Sequence, residues 1–246
     1  MTTYLGLGLI LLATILLLAF TFIKRKVRPA FREIAALVHL RKAAGLAVEE
    51  GTRLHVSLGR GGLVTPRGAD SLSALALLRH VGGQNSISDR PPVSTSGDPL
   101  LSILSQDTLK SAYRSAGVEE LYESTNGRLA GMTPFSYAAG AMSVNRQEQV
   151  STQVLTGDFG AEVGLLTEST ERENAALIGA ASDPAAQSIL FASTTEPLVG
   201  EEMFAMPAYI GDDSAQRASL QVQDILRWVI VAALLAASLL KLAGLI

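Results

Sequence analysis

The apolar positions of this 246-residue chain fall into three regimes, and each predicts a different kind of element. From Leu5 to Ile23 the residues are almost all apolar and none is charged, and the run is closed by Lys24, Arg25, Lys26 and Arg28. A helix over these positions rises about 28 Å at ~1.5 Å per residue, the thickness of a bilayer's hydrocarbon core. At the other end, Trp228 opens a second apolar run interrupted only by Ser238 and Lys241. Gln221, Gln223, Asp224 and Arg227 precede it, and neither glycine nor proline intervenes between Ser214 and Gly244. One continuous helix, capped by Asp212, Asp213 or Ser214, therefore carries the change from polar to apolar. Trp228 suits the interfacial aromatic belt, and Lys241 can snorkel toward the far headgroups. Both ends of the chain are expected to be membrane anchors.

Between the ends the period changes. Pro29 interrupts the first helix, and a second is expected from Ala30 to about Glu50, with Phe31, Ile34, Leu37, Val38 and Leu40 toward one face. Thr52–Leu58, Pro92–Ser96, Arg128–Met132, Val150–Leu155 and Ser188–Ala192 read as strands. Helices are expected over Ala69–Val81, from Asp98-Pro99 to Gly117, from Thr133-Pro134 to about Gln149, and over Phe159–Ala181, with a short one at Glu196-Pro197. An acceptor followed by proline is an N-terminal signal, because the side chain caps and proline needs no N–H in the first turn. Glu201–Asp213, with Pro207 and Gly211, reads as an irregular connection. Five strand–helix alternations predict an α/β fold: a mostly parallel sheet of about five strands, helices on both faces, Val150–Leu155 internal, and transmembrane helices flanking it. The expected organisation is an anchor over residues 1–28, an α/β domain over 29–213, and a helix over 214–246 that continues into the second anchor.

Composition narrows the function classes. The net charge of -3, with basic residues scattered beyond Lys24–Arg28, argues against a nucleic-acid partner. The absence of cysteine excludes disulfides, thiol nucleophiles and iron–sulfur clusters. A cleaved secretion signal would place its charge before the apolar run, but Met1-Thr-Thr-Tyr carries no side-chain charge, so the first run reads as a retained anchor. Basic residues beside a span stay on the cytoplasmic side, which puts both termini outside and Ala30 to Asp224 in the cytoplasm.

Candidate chemistry is sparse. Gly59-Arg60-Gly61-Gly62 follows the first expected strand and precedes a helix, the context in which glycine-loop amides cradle a phosphate. These four residues are the candidate cofactor-binding site. The dinucleotide fingerprint would need glycine or alanine at Val64, and no Gly-Lys-Ser/Thr is present, so a purely structural turn is the alternative. Ser94, Thr95, Ser96, Thr133, Thr156, Ser193, Thr194 and Thr195 are expected to gather at the carboxyl edge of the sheet, where open α/β sheets bind ligands. Asp158-Phe159-Gly160 spells a kinase tripeptide without the accompanying catalytic loop. His39, His55 and His80 lack metal-ligand spacing, and neither a catalytic nor a metal constellation emerges.

The stretch from His55-Val-Ser-Leu-Gly-Arg-Gly-Gly to Pro92-Val-Ser-Thr-Ser-Gly-Asp-Pro resembles an uncharacterised family of membrane-anchored bacterial and archaeal proteins, known only as a domain of unknown function. The resemblance implies a plasma-membrane protein and brings no activity, cofactor or catalytic residue. Two functions remain in view: a non-enzymatic scaffold or accessory subunit of a membrane assembly, and a membrane-tethered enzyme or sensor that binds a small phosphorylated metabolite at the sheet edge. Ala232 with Ala236 and Ala233 with Ala237 give the last span a small-residue face, on which a homo- or hetero-oligomer is expected to pack.

Overall fold

The computed structural model describes residues 2–23, 32–211 and 214–242, and divides into two compact units. Residues 33–210 form one, and residues 1–32 with 211–246 the other. The basic cluster at 24–28, Pro29, Phe31, Asp212 and Asp213 lie outside the described residues.

After α1 (Thr2–Ile23), the larger unit runs α2 (Ala35–Glu50), β1 (Arg53–Gly59), α3 (Gly68–Gln84), β2 (Val93–Ser96), α4 (Pro99–Ser115) and β3 (Gly127–Leu129). It continues with α5 (Pro134–Gln147), β4 (Val150–Asp158), α6 (Val163–Arg172), β5 (Ala176–Ala181), α7 (Pro184–Ser193) and α8 (Glu202–Ile210). The five strands form one all-parallel sheet in the order β3-β2-β1-β4-β5. The chain thus starts at the centre, moves outward through α3 and α4 to the β3 edge, then returns through α5 past β1 to β4. Right-handed crossovers in opposite directions must lie on opposite faces, and this separates the helices.

Alternation along the strands serves both faces. Leu54, Val56 and Leu58 of β1 are fully buried against one face, in a core that takes in Leu37 and Leu40 of α2, Leu77 and Leu78 of α3, and Met203 and Met206 of α8. On the other face Leu155, Phe159 and Ala181 pack with Tyr137 of α5, Leu166 of α6 and Leu190 of α7. Fully burying each such leucine contributes ~1.5–3 kcal/mol. The acceptor–proline pairs behave as their chemistry requires. Asp98 accepts the Leu101 N–H at 2.8 Å, Asp183 accepts that of Ala185 at 2.9 Å, and Thr133 forms a capping box with Ser136. The sheet limits its exposed edges: β3 has only 3 residues, and Leu198 forms a parallel bridge to Ala180 beside β5.

Four expectations fail within this unit, the first being the short helix at Glu196-Pro197, since residues 194–201 form no helix. Phe159–Ala181 is not one helix, because α6 ends at Arg172, Asn174 takes a left-handed φ of 53°, and Ala176–Ala181 is the edge strand β5. With Ile178 as its one β-branched residue the segment carries a weak strand signal, so parallel pairing to β4 decides the conformation. Ser188–Ala192 belongs to α7, whose cap at Asp183 fixes the start. The expected irregular connection after Glu201 contains α8, with Pro207 inside it.

The second unit holds α1 and α9 (Ser214–Leu242), which pack on each other. Ala218 and Val222, one turn apart on α9, are buried, whereas every described side chain from Trp228 onward is exposed. Among the described residues α9 is the one helix long and apolar enough to cross a membrane; α1 carries a shorter apolar stretch, Gly6–Phe22.

Candidate functional site

The direction of winding reverses between β1 and β4, so the loops leaving these strands face each other across the position where open α/β sheets bind ligands. The predicted glycines stand there. Gly59 ends β1 with φ 75°, and a Cβ on it would lie 2.4 Å from the Asp158 carbonyl oxygen at the end of β4. A Cβ on Gly61 would lie 2.7 Å from Asp158 Cβ, and the Arg60 N–H donates to the Asp158 carbonyl at 2.8 Å. The glycines let two neighbouring strand ends approach closely. A loop through Arg67 intervenes before α3 begins at Gly68, so the turn does not open directly onto a helix N-terminus.

Carboxylates surround the turn. Arg60 Nε donates to Glu162 Oε1 at 2.6 Å, and the Gly160 N–H donates to the same oxygen at 3.0 Å. Burial pushes the Glu162 pKa up, but Gly160 and Arg60 overcome it and hold the group below the usual carboxylate range. Arg67 spans two loops, donating to Asp158 Oδ1 at 2.8 Å and Asp183 Oδ2 at 2.9 Å. Its pKa is raised, first by the bond to Asp158 and then by that to Asp183. For Asp183, burial acts upward, yet Arg67 and the Ala185 and Ala186 amides lower its pKa. Asp70, which accepts from the Ser182 hydroxyl, is pushed up by burial. Both guanidinium groups at the crevice therefore already have internal partners. Asp98 Oδ2 would meet a Cβ on Gly62 at 3.3 Å, so a further carboxylate adjoins the turn.

Beneath the turn, on the α5–α6 face, lies a buried polar chain. Tyr137 OH accepts the Gly59 N–H at 3.1 Å and pairs with Ser57 Oγ at 2.5 Å. Ser57 and Thr95 hydroxyl oxygens are 3.5 Å apart, and Thr95 lies 2.8 Å from His55 Nε2. His55 Nδ1 lies 2.7 Å from Asn145 Oδ1, which can only accept, so the ring proton sits on Nδ1 and Thr95 donates to Nε2. Asn145 Nδ2 donates to Gln153 Oε1, which also accepts from Thr170. Burial lowers the His55 pKa from 6.5 to about 4, keeping the imidazole neutral.

Of the eight expected rim hydroxyls, Ser96 and Thr133 stand at the carboxyl edge, whereas Ser94, Thr95 and Thr156 point from strands into the interior and are fully buried. Ser193, Thr194 and Thr195 follow the far end of α7 and belong to no rim, because the strand expected before them is helical. The rim's charged residues were the ones that strand and helix patterning left out. Arg67, the Asp158–Glu162 loop and Asp183 lie far apart in sequence and meet only through the strand order. The one local signal was Asp158-Phe159-Gly160, whose glycine amide serves Glu162. Among the described residues no group of three or more histidine or carboxylate side chains could hold a metal ion.

Fold and rim together define a doubly wound parallel α/β protein whose switch-point loops are bound to one another by ion pairs. The chain matches the domain of unknown function DUF6754 over residues 2–245 and belongs to that family. No curated protein and no solved structure matches it.

Proposed function

We propose that this protein is a membrane-anchored, non-enzymatic scaffold or accessory subunit of a membrane assembly, with its α/β domain in the cytoplasm. The observation that carries this reading is the crevice itself. The space where an open sheet would admit a ligand is taken by Asp158 against Gly59 and Gly61, and Arg60 and Arg67 are neutralised by Glu162, Asp158 and Asp183. Around the same edge, Val64, Ile103, Met132 and Phe135 are 92%, 63%, 66% and 73% exposed, apolar side chains that a protein partner could cover. The candidate span α9, the apolar α1 and the basic residues at 24–28 support anchoring with both termini outside.

The second reading, a tethered enzyme or sensor for a small phosphorylated metabolite, is favoured by the position of Gly59-Arg60-Gly61-Gly62 at the switch point. Purified protein in nanodiscs separates the two readings. A subunit complex recovered with the native membrane, and no rise in melting temperature with nucleotides or sugar phosphates, is the outcome expected for the scaffold. A rise abolished by Arg60→Gln sinks it in favour of the sensor. Topology has its own test: because the chain lacks cysteine, Ser115→Cys on the exposed end of α4 should react with an impermeant maleimide only after permeabilisation, whereas Thr2→Cys should react in intact cells. Labelling of Ser115→Cys in intact cells would refute the cytoplasmic placement.

A further inference from the structure

α5 and α6 both run away from the carboxyl edge, so their last turns come together at the opposite end of the domain from the glycine turn. Between them is a cavity of about 280 Å³ lined by Met142, Ser143, Arg146, Ser169, Arg172 and Glu173. Arg146 and Arg172 each stand in the last turn of their helix. Cations are favoured at helix C-termini, and this explains one basic residue on each helix. It does not explain the rest of the cavity. Ser169 is only 7% exposed, and its hydroxyl has no hydrogen-bond partner among the described residues, whereas Ser143 Oγ donates to the Gly140 carbonyl at 2.7 Å. A free hydroxyl facing a cavity flanked by two guanidinium groups is a ready donor to an anion held there. Neither Arg146 nor Glu173 has an ion-pair partner among the described residues. Arg172 has only the i,i+4 pair to Glu168 at 2.6 Å, between side chains 73% and 55% exposed, and such a pair contributes little.

The geometry points to a binding site for a phosphate-class oxyanion between α5 and α6, with Arg146 and Arg172 on the anion oxygens and the Ser169 hydroxyl donating to the same group. A guanidinium presents a planar fork of donors that fits such oxygens, and the cavity lies at the small end of ligand sites. Glu173 gives the site its selectivity. Its unpaired carboxylate repels a bare dianion and attracts an ammonium beside the phosphate, so a phosphoethanolamine-type group fits better than inorganic phosphate. That group can arrive as a free phosphomonoester or as a lipid headgroup. The site is separate from the glycine turn and stands or falls independently of the scaffold reading.

The test titrates inorganic phosphate and O-phosphoethanolamine by calorimetry into the full chain in uncharged detergent micelles. Saturable binding is expected, tighter for O-phosphoethanolamine, and roughly tenfold weaker in Arg146→Gln and in Arg172→Gln, as loss of a charge-assisted hydrogen bond implies. Ser169→Ala should weaken it severalfold, and Glu173→Gln should remove the advantage of O-phosphoethanolamine. In a parallel arm, bicelles with and without phosphatidylethanolamine are titrated. Arg146-dependent binding seen only there supports the site and identifies the headgroup as its ligand. Absence of saturable binding in both arms overturns the proposal. So does binding that survives both arginine variants, or binding lost in Arg60→Gln instead, which would belong to the glycine turn.

Discussion

His55 carries the sharpest consequence at the scale of single residues. It is fully buried with both ring nitrogens engaged, and burial holds its pKa near 4 against 6.5 in the unfolded chain. Between these values the unfolded state binds a proton that the folded state refuses. Stability from this group is therefore complete above pH 6.5 and falls as pH drops toward 4, by about 3 kcal/mol at most. Thermal melts of the wild type should lose stability across that window more steeply than those of His55→Gln, whose side chain does not titrate. Parallel pH profiles for the two proteins would contradict the buried neutral imidazole. Histidine spacing in the sequence excluded a metal site but carried no sign of this role. Its partners Thr95 and Asn145 lie 40 and 90 residues away in the chain.

At the scale of elements, the glycines sort by what surrounds them. Gly59 combines φ 75° with an Asp158 carbonyl 2.4 Å from where its Cβ would stand. Gly59→Ala must distort the end of β1 or displace β4, and a loss of several kcal/mol is expected, of the order seen for strained backbone and overpacking together. Gly45 is the opposite case: it lies within α2 with nothing within 4 Å of an added Cβ. Gly45→Ala should stabilise the domain by roughly 0.5–1 kcal/mol, because alanine has less conformational freedom to lose in a helix. Denaturant melts of the two variants test the contrast, and similar midpoints would mean that the turn at Gly59 tolerates a side chain. Elements with a local signal were readable in advance, as the caps at Asp98 and Thr133 attest, whereas Asp183 caps a helix where Ser188–Ala192 was expected as a strand. Ala176–Ala181 was not, since its residues suit helix as well as strand.

For the whole molecule, the open question is what meets α9. Its buried positions, Ala218 and Val222, lie before the apolar run, while Ala232, Ala233, Ala236 and Ala237 are all exposed in the single chain. Small residues four apart allow close helix packing in lipid, where burial of apolar surface supplies little drive. Replacing Ala233 and Ala237 by leucine is expected to lower the oligomer mass in detergent while leaving the melting of the α/β domain unchanged. An unaltered mass would leave these alanines facing lipid.

The sequence by itself determined the class of the protein: apolar ends, an α/β alternation between them, most strand positions, and the capped starts of α4 and α5. These are properties of neighbouring residues, written in period, caps and turns. Only the tertiary structure decided which strand ends meet. The order β3-β2-β1-β4-β5 brings Arg60 to Glu162, Arg67 to Asp158 and Asp183, and Gly59 against Asp158. The same glycine turn can cradle a ligand or seat a neighbouring strand. Long-range pairing makes that choice, because the carboxylates and the carbonyl that fill the crevice come from residues about a hundred positions further along the chain.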